Sequence, residues 1–231
     1  MQRGWWDNDA HGRVARFLWS PPSKFNYNKH MFSSIRAIYR ADPSAKHIEV
    51  LLYPGLWAIW MHRAAHALYC AHIPFFPRLI SQVARLLTLV EIHPGARIGQ
   101  GLFIDHGAGT VIGETAVIGN WCVLYHEVTL GGTGYTGGKR HPTLKDHVVV
   151  GPGAKILGNV SIGDYSRVAA NALVICDVPA QSTVVGNPGR VVAQAGLQLE
   201  DELEHAKLPD PVLANLNQLN RRLDELEKRL G

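Results

Sequence analysis

The stretch "DHGAGTVIGETAVIG", residues 105–119, opens on an Asp-His pair and then settles into a pattern: an aliphatic residue followed by glycine returns every six positions. Downstream of Ile112 and Ile118 the same step reaches Leu124 and Leu130, and upstream a separate series runs Ile92, Ile98, Ile104. A third series runs Val150, Ile156, Ile162, Val168, Val174. Between the first two series the phase slips by two residues, and the slip contains Asp105 and His106. Glycine follows the aliphatic residue in "IGQG", "IGET", "IGNW", "LGGT", "VGPG" and "IGDY". Small or modest residues, Ala116, Cys122, Ala154, Ser166 and Ala172, stand four places after it. A six-residue period with one aliphatic and one small position predicts a parallel β-helix, in which three short strands make one triangular coil and the aliphatic residues stack inside. Sandwich strands would alternate with period two instead. Spacing alone does not set the hand of the coil.

The second interruption, "GGTGYTGGKRHPTLKDHVV", is rich in glycine and holds Pro142, which predicts a loop thrown out from the coil over residues 131–147. Before residue 91, "FSSIRAIYR", "HIEVLL", "GLWAIWMHRAAHALYCA" and "PRLISQVARLLTLV" read as helices bounded by Pro, Gly or Asp-Pro. The chain is therefore expected to be α+β: an N-terminal extension over 1–30, a helical domain over 31–90, a β-helix over 91–193 and a tail over 194–231. Within the tail, Val212, Leu216, Leu219, Leu223, Leu226 and Leu230 alternate steps of four and three, the spacing of a short coiled-coil helix over 211–230. So few heptads are marginal alone and point to an assembly that already holds several copies together.

Composition narrows the function. The 231 residues carry a net charge of only +4 without a dense basic block, which suits an anionic small ligand rather than nucleic acid. Three widely spaced cysteines, Cys70, Cys122 and Cys176, form no CxxC pair, so neither a disulfide framework nor a zinc knuckle is expected and a reducing cytoplasm fits. The N-terminus has no uninterrupted apolar core of the signal-peptide kind. The most apolar region is broken by Pro54, His62, Arg63 and His66 before it reaches the roughly 20 residues of a membrane span.

The segments "RADPSA", "EIHPGARIG", "DHGAGTVIGETAVIG", "VTLGGTG", "KRHPTLKD", "GAKILGN" and "VVGNPGRVV", in this order and spacing, resemble the serine O-acetyltransferases of cysteine biosynthesis. The resemblance covers roughly residues 35 to 192. It implies a left-handed parallel β-helix behind a helical domain, a homotrimer or dimer of trimers with sites between neighbouring coils, acetyl-CoA as co-substrate and L-serine as acceptor. It also implies feedback by L-cysteine and docking of the tail into O-acetylserine sulfhydrylase through a terminal Ile, a pattern from which the ending "KRLG" departs.

Acetyl transfer from a thioester to a hydroxyl needs a base, a group that orients it, and grips for both substrates. His106 is the candidate base, since an imidazole's ordinary pKa of about 6.5 lies close to working pH. Glu91 is the candidate orienting carboxylate; the family's motif carries Asp here, within "D-I-H-P". Serine is a zwitterion, and Arg140 offers a planar fork for its carboxylate. By the resemblance Asp42, Asp105 and His141 complete the pocket. Asp42 before Pro43 also reads as a helix N-cap. On the acetyl-CoA side, glycines 131, 132 and 134 allow close backbone approach, and Gly132, Thr133, Gly153, Lys155, Arg167 and Arg190 are the candidate contacts. No metal is expected. Two other readings use the same scaffold: an acetyltransferase with a different hydroxyl or amine acceptor, and a γ-carbonic-anhydrase-like enzyme with a metal on His106, His126, His141 or His147.

Overall fold

The structure, a computed structural model, describes residues 27–134, 137–194, 220–222 and 225. Helix α1 (Tyr27–Ala41), a 3-10 turn (His47–Leu52), α2 (Pro54–Cys70) and α3 (Phe76–Thr88) come first, as the helical readings anticipated. Pro54 and Pro77 stand in the first turns of α2 and α3, where a fixed φ and a missing N–H cost nothing. No helix among the described residues is long and apolar enough to cross a membrane. The heptad segment 211–230 lies outside the described residues except for 220–222 and 225, which are helical.

Fifteen short strands follow among the described residues and stack into three parallel faces. One face orders β1 (Glu91–Ile92), β4 (Val111–Ile112), β7 (Thr129–Gly131), β10 (Lys155–Leu157) and β13 (Leu173–Val174). A second orders β2 (Arg97–Ile98), β5 (Val117–Ile118), β8 (Thr143–Leu144) and β11 (Ser161–Ile162). The third holds β3 (Phe103–Ile104), β6 (Val123–Leu124), β9 (Val149–Val150), β12 (Arg167–Val168) and β14 (Ser182–Val185), closed by an antiparallel β15 (Arg190–Gln194). The fold is the left-handed β-helix of hexapeptide repeats. The aliphatic residue of each repeat pairs with its counterpart one coil on, Ile92 with Ile112, Ile112 with Leu130, Leu130 with Ile156. These residues are almost wholly buried, and Ala96, Ala116, Cys122, Ala154, Ser166 and Ala172 fill the interior beside them. Corners too tight for a large inward side chain explain the small residue.

Register measures the interruptions. An uninterrupted coil takes 18 residues, as between Ile156 and Val174. The step from Ile92 to Ile112 is 20, and that from Leu130 to Ile156 is 26. The first coil thus carries two extra residues and the third carries eight. The second interruption is shorter than its sequence suggested: Thr143–Leu144 already lies in the ladder, with Leu144 paired to Ile118 and buried, so the excursion ends at Pro142 instead of residue 147.

The helical domain covers the third face. Ala37 and Ile38 of α1, Val50 and Leu56 pack against the outward side chains of Phe103, Val123 and Val149. Gly55 permits this approach, because a Cβ there would stand 2.2 Å from the Ile104 carbonyl oxygen. The first coil is also sealed by side chains from the helices. Ser81 Oγ donates to the Ile92 carbonyl at 2.6 Å, His66 Nδ1 to that of Pro94 at 2.7 Å, and Gly101 N–H donates to Ser33 Oγ at 3.1 Å.

Candidate active site

The two-residue slip forms the corner that follows β3. Asp105 N–H donates to Leu124 O at 2.8 Å, and Thr110 Oγ1 to Tyr125 O at 2.9 Å, so the corner backbone is held on the coil above. His106 itself adopts a left-handed φ of 53° and its side chain is 81% exposed. Its Nε2 lies 3.7 Å from Asp105 Oδ1, close enough for attraction but longer than a hydrogen bond. Burial raises the pKa of the Asp105 carboxyl; the His106 charge opposes this and the Asp42 charge adds to it.

Asp42 is brought to the same corner by the end of α1. No helix starts at Pro43, so the N-cap reading is corrected. The Asp42 carboxylate closes a turn, accepting Ser44 N–H and Ser44 Oγ at 2.7 Å each on Oδ1, while the Tyr53 hydroxyl donates to Oδ2. Burial works against ionisation here, yet the hydrogen bonds from Tyr53 and Ser44 hold the Asp42 pKa below its ordinary value. Two carboxylates and an imidazole thus share one corner.

The eight-residue excursion returns at the opposite end of β4. Arg140 Nη2 donates to Glu114 Oε2 at 2.7 Å. His141 is buried, with Nδ1 3.2 Å from Thr115 N and 2.9 Å from Thr115 Oγ1. The Arg140 and His141 N–H groups donate to that Oγ1 at 3.0 and 3.1 Å. Lys139 Nζ donates to the carbonyls of Thr115 (2.7 Å), His141 (2.6 Å) and Pro142 (3.1 Å). Burial, then the Arg140 charge, lowers the His141 pKa, with Glu114 opposing. Gly113 is required there, since a Cβ would lie 1.9 Å from His141 Cδ2.

A family model for the bacterial transferase hexapeptide (six repeats) matches residues 141–176. The serine acetyltransferase of Synechococcus elongatus is 52% identical over 204 residues, 87% of this chain and 83% of that protein. That of Bacillus subtilis is 51% identical over 198 residues, covering 85% and 91%. This chain belongs to the serine acetyltransferase family. Serine acetyltransferases move the acetyl group of acetyl-CoA to the hydroxyl of L-serine, and this chain is an acyltransferase of that kind. The solved serine acetyltransferase of Neisseria gonorrhoeae superposes with a TM-score of 0.71 at 40% identity, over 73% of this chain and 66% of that one. A soybean serine acetyltransferase complexed with serine gives 0.68 at 43% identity, over 71% and 68%.

For a serine acetyltransferase, the expected site residues fall into two groups that one chain keeps apart. Asp42, Asp105 and His106 meet at one end of β4, whereas Arg140 and His141 stand at the other. Glu91 borders the first group, its N–H donating to Thr110 O at 2.9 Å, while its carboxylate pairs with Arg78 and Arg85 of α3 at 3.5 and 3.4 Å, because α3 lays two cations along β1. Of the expected acetyl-CoA contacts, Gly132 lies beside His141 Nε2, and Thr133 N–H donates to Arg140 O at 3.3 Å. Lys155 Nζ donates to the Gly153 carbonyl at 3.0 Å, while Arg167 and Arg190 stand in β12 and β15. Among the described residues no group of three or more His, Cys, Asp or Glu side chains gathers at metal-binding distance; His147, for one, stacks on Tyr165. Sequence reasoning missed Tyr53, Glu114, Thr115 and Lys139. Glu114 and Thr115 had a signal, since "IGET" lies within the decisive stretch; Tyr53 had none.

Proposed function

We propose that His106 takes the proton of the L-serine hydroxyl as that oxygen attacks the thioester carbonyl of acetyl-CoA. The tetrahedral intermediate expels CoA as its thiolate, and the His106 imidazolium returns the proton to that sulfur. Glu91, at the edge of the same corner, is the carboxylate that orients the imidazole, and Asp105 steadies the imidazolium from its 3.7 Å position. Asp42, ionised by its Tyr53 and Ser44 hydrogen bonds, and Asp105 attract the serine ammonium. Arg140 exchanges Glu114 for the serine carboxylate, and His141 lies beside it. The Gly131–Thr133 segment receives the thioester end of acetyl-CoA, with Lys155, Arg167 and Arg190 for its phosphates.

The observation that carries this reading is the corner where Asp42, Asp105 and an exposed His106 converge. Because Arg140 and His141 lie at the far end of β4, a neighbouring copy of the chain completes each pocket, as a trimer of β-helices would. The grips read only ammonium and carboxylate, so L-cysteine competes with serine for the site; a related serine acetyltransferase has been solved in complex with cysteine. The protein works in the cytoplasm on this reading. Thiol release from acetyl-CoA, followed with and without L-serine, tests the whole. Serine-dependent release blocked competitively by cysteine is the expected result, and release indifferent to serine would overturn it.

A further inference from the structure

We infer that Thr115 is a positioning residue that holds His141 as a neutral imidazole with its proton on Nε2, so that His141 serves the reaction as a hydrogen-bond donor and not as a base. The inference rests on the proposed membership of His141 in the substrate pocket, and its argument is a count of donors. A backbone N–H can only donate, so the 3.2 Å contact from Thr115 N makes His141 Nδ1 an acceptor. Thr115 Oγ1 receives the N–H groups of Arg140 and His141, which occupy both of its lone pairs. Its own proton then has Nδ1 as its partner, at 2.9 Å. An Nδ1 facing two donors carries no hydrogen, and the neutral ring must be protonated on Nε2.

Charge works in the same direction. His141 is buried, and the cations of Arg140 and Lys139 outweigh Glu114 as neighbours, with His93 adding to them. A second proton would land on Nδ1, against both donors. The Nε2 edge is kept open by glycine on two sides. A Cβ at Gly113 would stand 2.1 Å from Nε2 and one at Gly132 3.0 Å from it. What fits there is an oxygen that bears or develops negative charge, the amino-acid carboxylate or the thioester oxygen. The division of labour follows: His106 moves the proton, and His141 binds charge.

Long-range proton–nitrogen spectra of the full chain labelled with nitrogen-15 test this between pH 6 and 8. The expected result is His141 with Nδ1 at the unprotonated and Nε2 at the protonated position throughout. Thr115→Val, which keeps the shape and deletes the hydroxyl, should blur that signature and lower kcat/KM on the order of 10²-fold. Thr115→Ser should restore both. A proton on Nδ1 in the parent chain, or a Thr115→Val protein with parental spectra and activity, overturns the inference. Loss of serine-dependent turnover in the parent chain with the spectra as expected would strike the proposed function instead.

Discussion

The two interruptions of the coil solve opposite problems. At the two-residue slip the backbone is tied to the neighbouring coil while the His106 side chain stands free. At the eight-residue excursion the chain leaves the coil, and side chains tie it back, with Lys139 spanning three carbonyls and Thr115 Oγ1 taking two N–H groups. A group that shuttles a proton needs freedom at its tip, whereas groups that read a carboxylate need a fixed direction. Insertion length sets which end of the side chain is constrained.

His106→Ala tests the first half of that contrast and carries the largest expected effect. Turnover should fall by about 10²- to 10⁴-fold. Because the side chain is 81% exposed, melting behaviour should be unchanged. A cooperative loss of stability would mean that the free tip is structural. Gly113→Ala attacks the second half. Its Cβ must displace His141, so kcat/KM should drop on the order of 10²-fold while the far corner still binds the serine ammonium. Calorimetric titration with serine against turnover separates the two.

Lys139→Met should lose about tenfold in kcat/KM and speed hydrogen exchange over residues 137–142, leaving exchange at residues 105–110 as it was. Burial, reinforced by the Arg97 charge, pushes the Lys139 pKa down to about 8. The ammonium that holds three carbonyls is therefore present below that pH and lost above it. Parent activity should decline on the alkaline side with a midpoint near 8, a decline the methionine variant lacks. His62→Leu is the smallest and lies outside both corners. Burial, then the neighbouring charges of His66, Arg63 and His93, pushes the His62 pKa down to about 3 from 6.5. The unfolded chain takes up that proton below about 6.5 and the folded chain does not, so stability is lost as pH falls. Melting curves from pH 7.5 to 5 should flatten in the leucine variant, with activity at neutral pH retained.

The coil was legible because each hexapeptide writes its geometry into two positions, and the Asp-His pair stood out because it broke that phase. Leu144 escaped notice since "TLKD" lacks the glycine that marked other coils, although it stands one six-residue step before Val150. Asp42 misled because Asp-Pro is as good a turn as a helix start, and only the return of Tyr53 on the far side of the 3-10 turn decides between them. Glu91 was read by motif position, while its ion-pair partners Arg78 and Arg85 come from α3, just upstream in the chain, where the hexapeptide pattern says nothing about them. The β14–β15 hairpin went unread because antiparallel closure leaves no six-residue trace. Thr115 could have been suspected, but its meaning lies in a donor count that requires three dimensions.

A stack of identical coils has no inherent length, and its open ends offer rows of unpaired amide groups on which a foreign chain could grow. Here Ser33, His66 and Ser81 occupy the backbone groups of the first coil, and β15 turns against the ladder to cover β14 at the last. The column is therefore a closed object rather than the seed of a filament. Loss of either stopper would surface first as fibrous aggregation in protein whose individual coils remain intact.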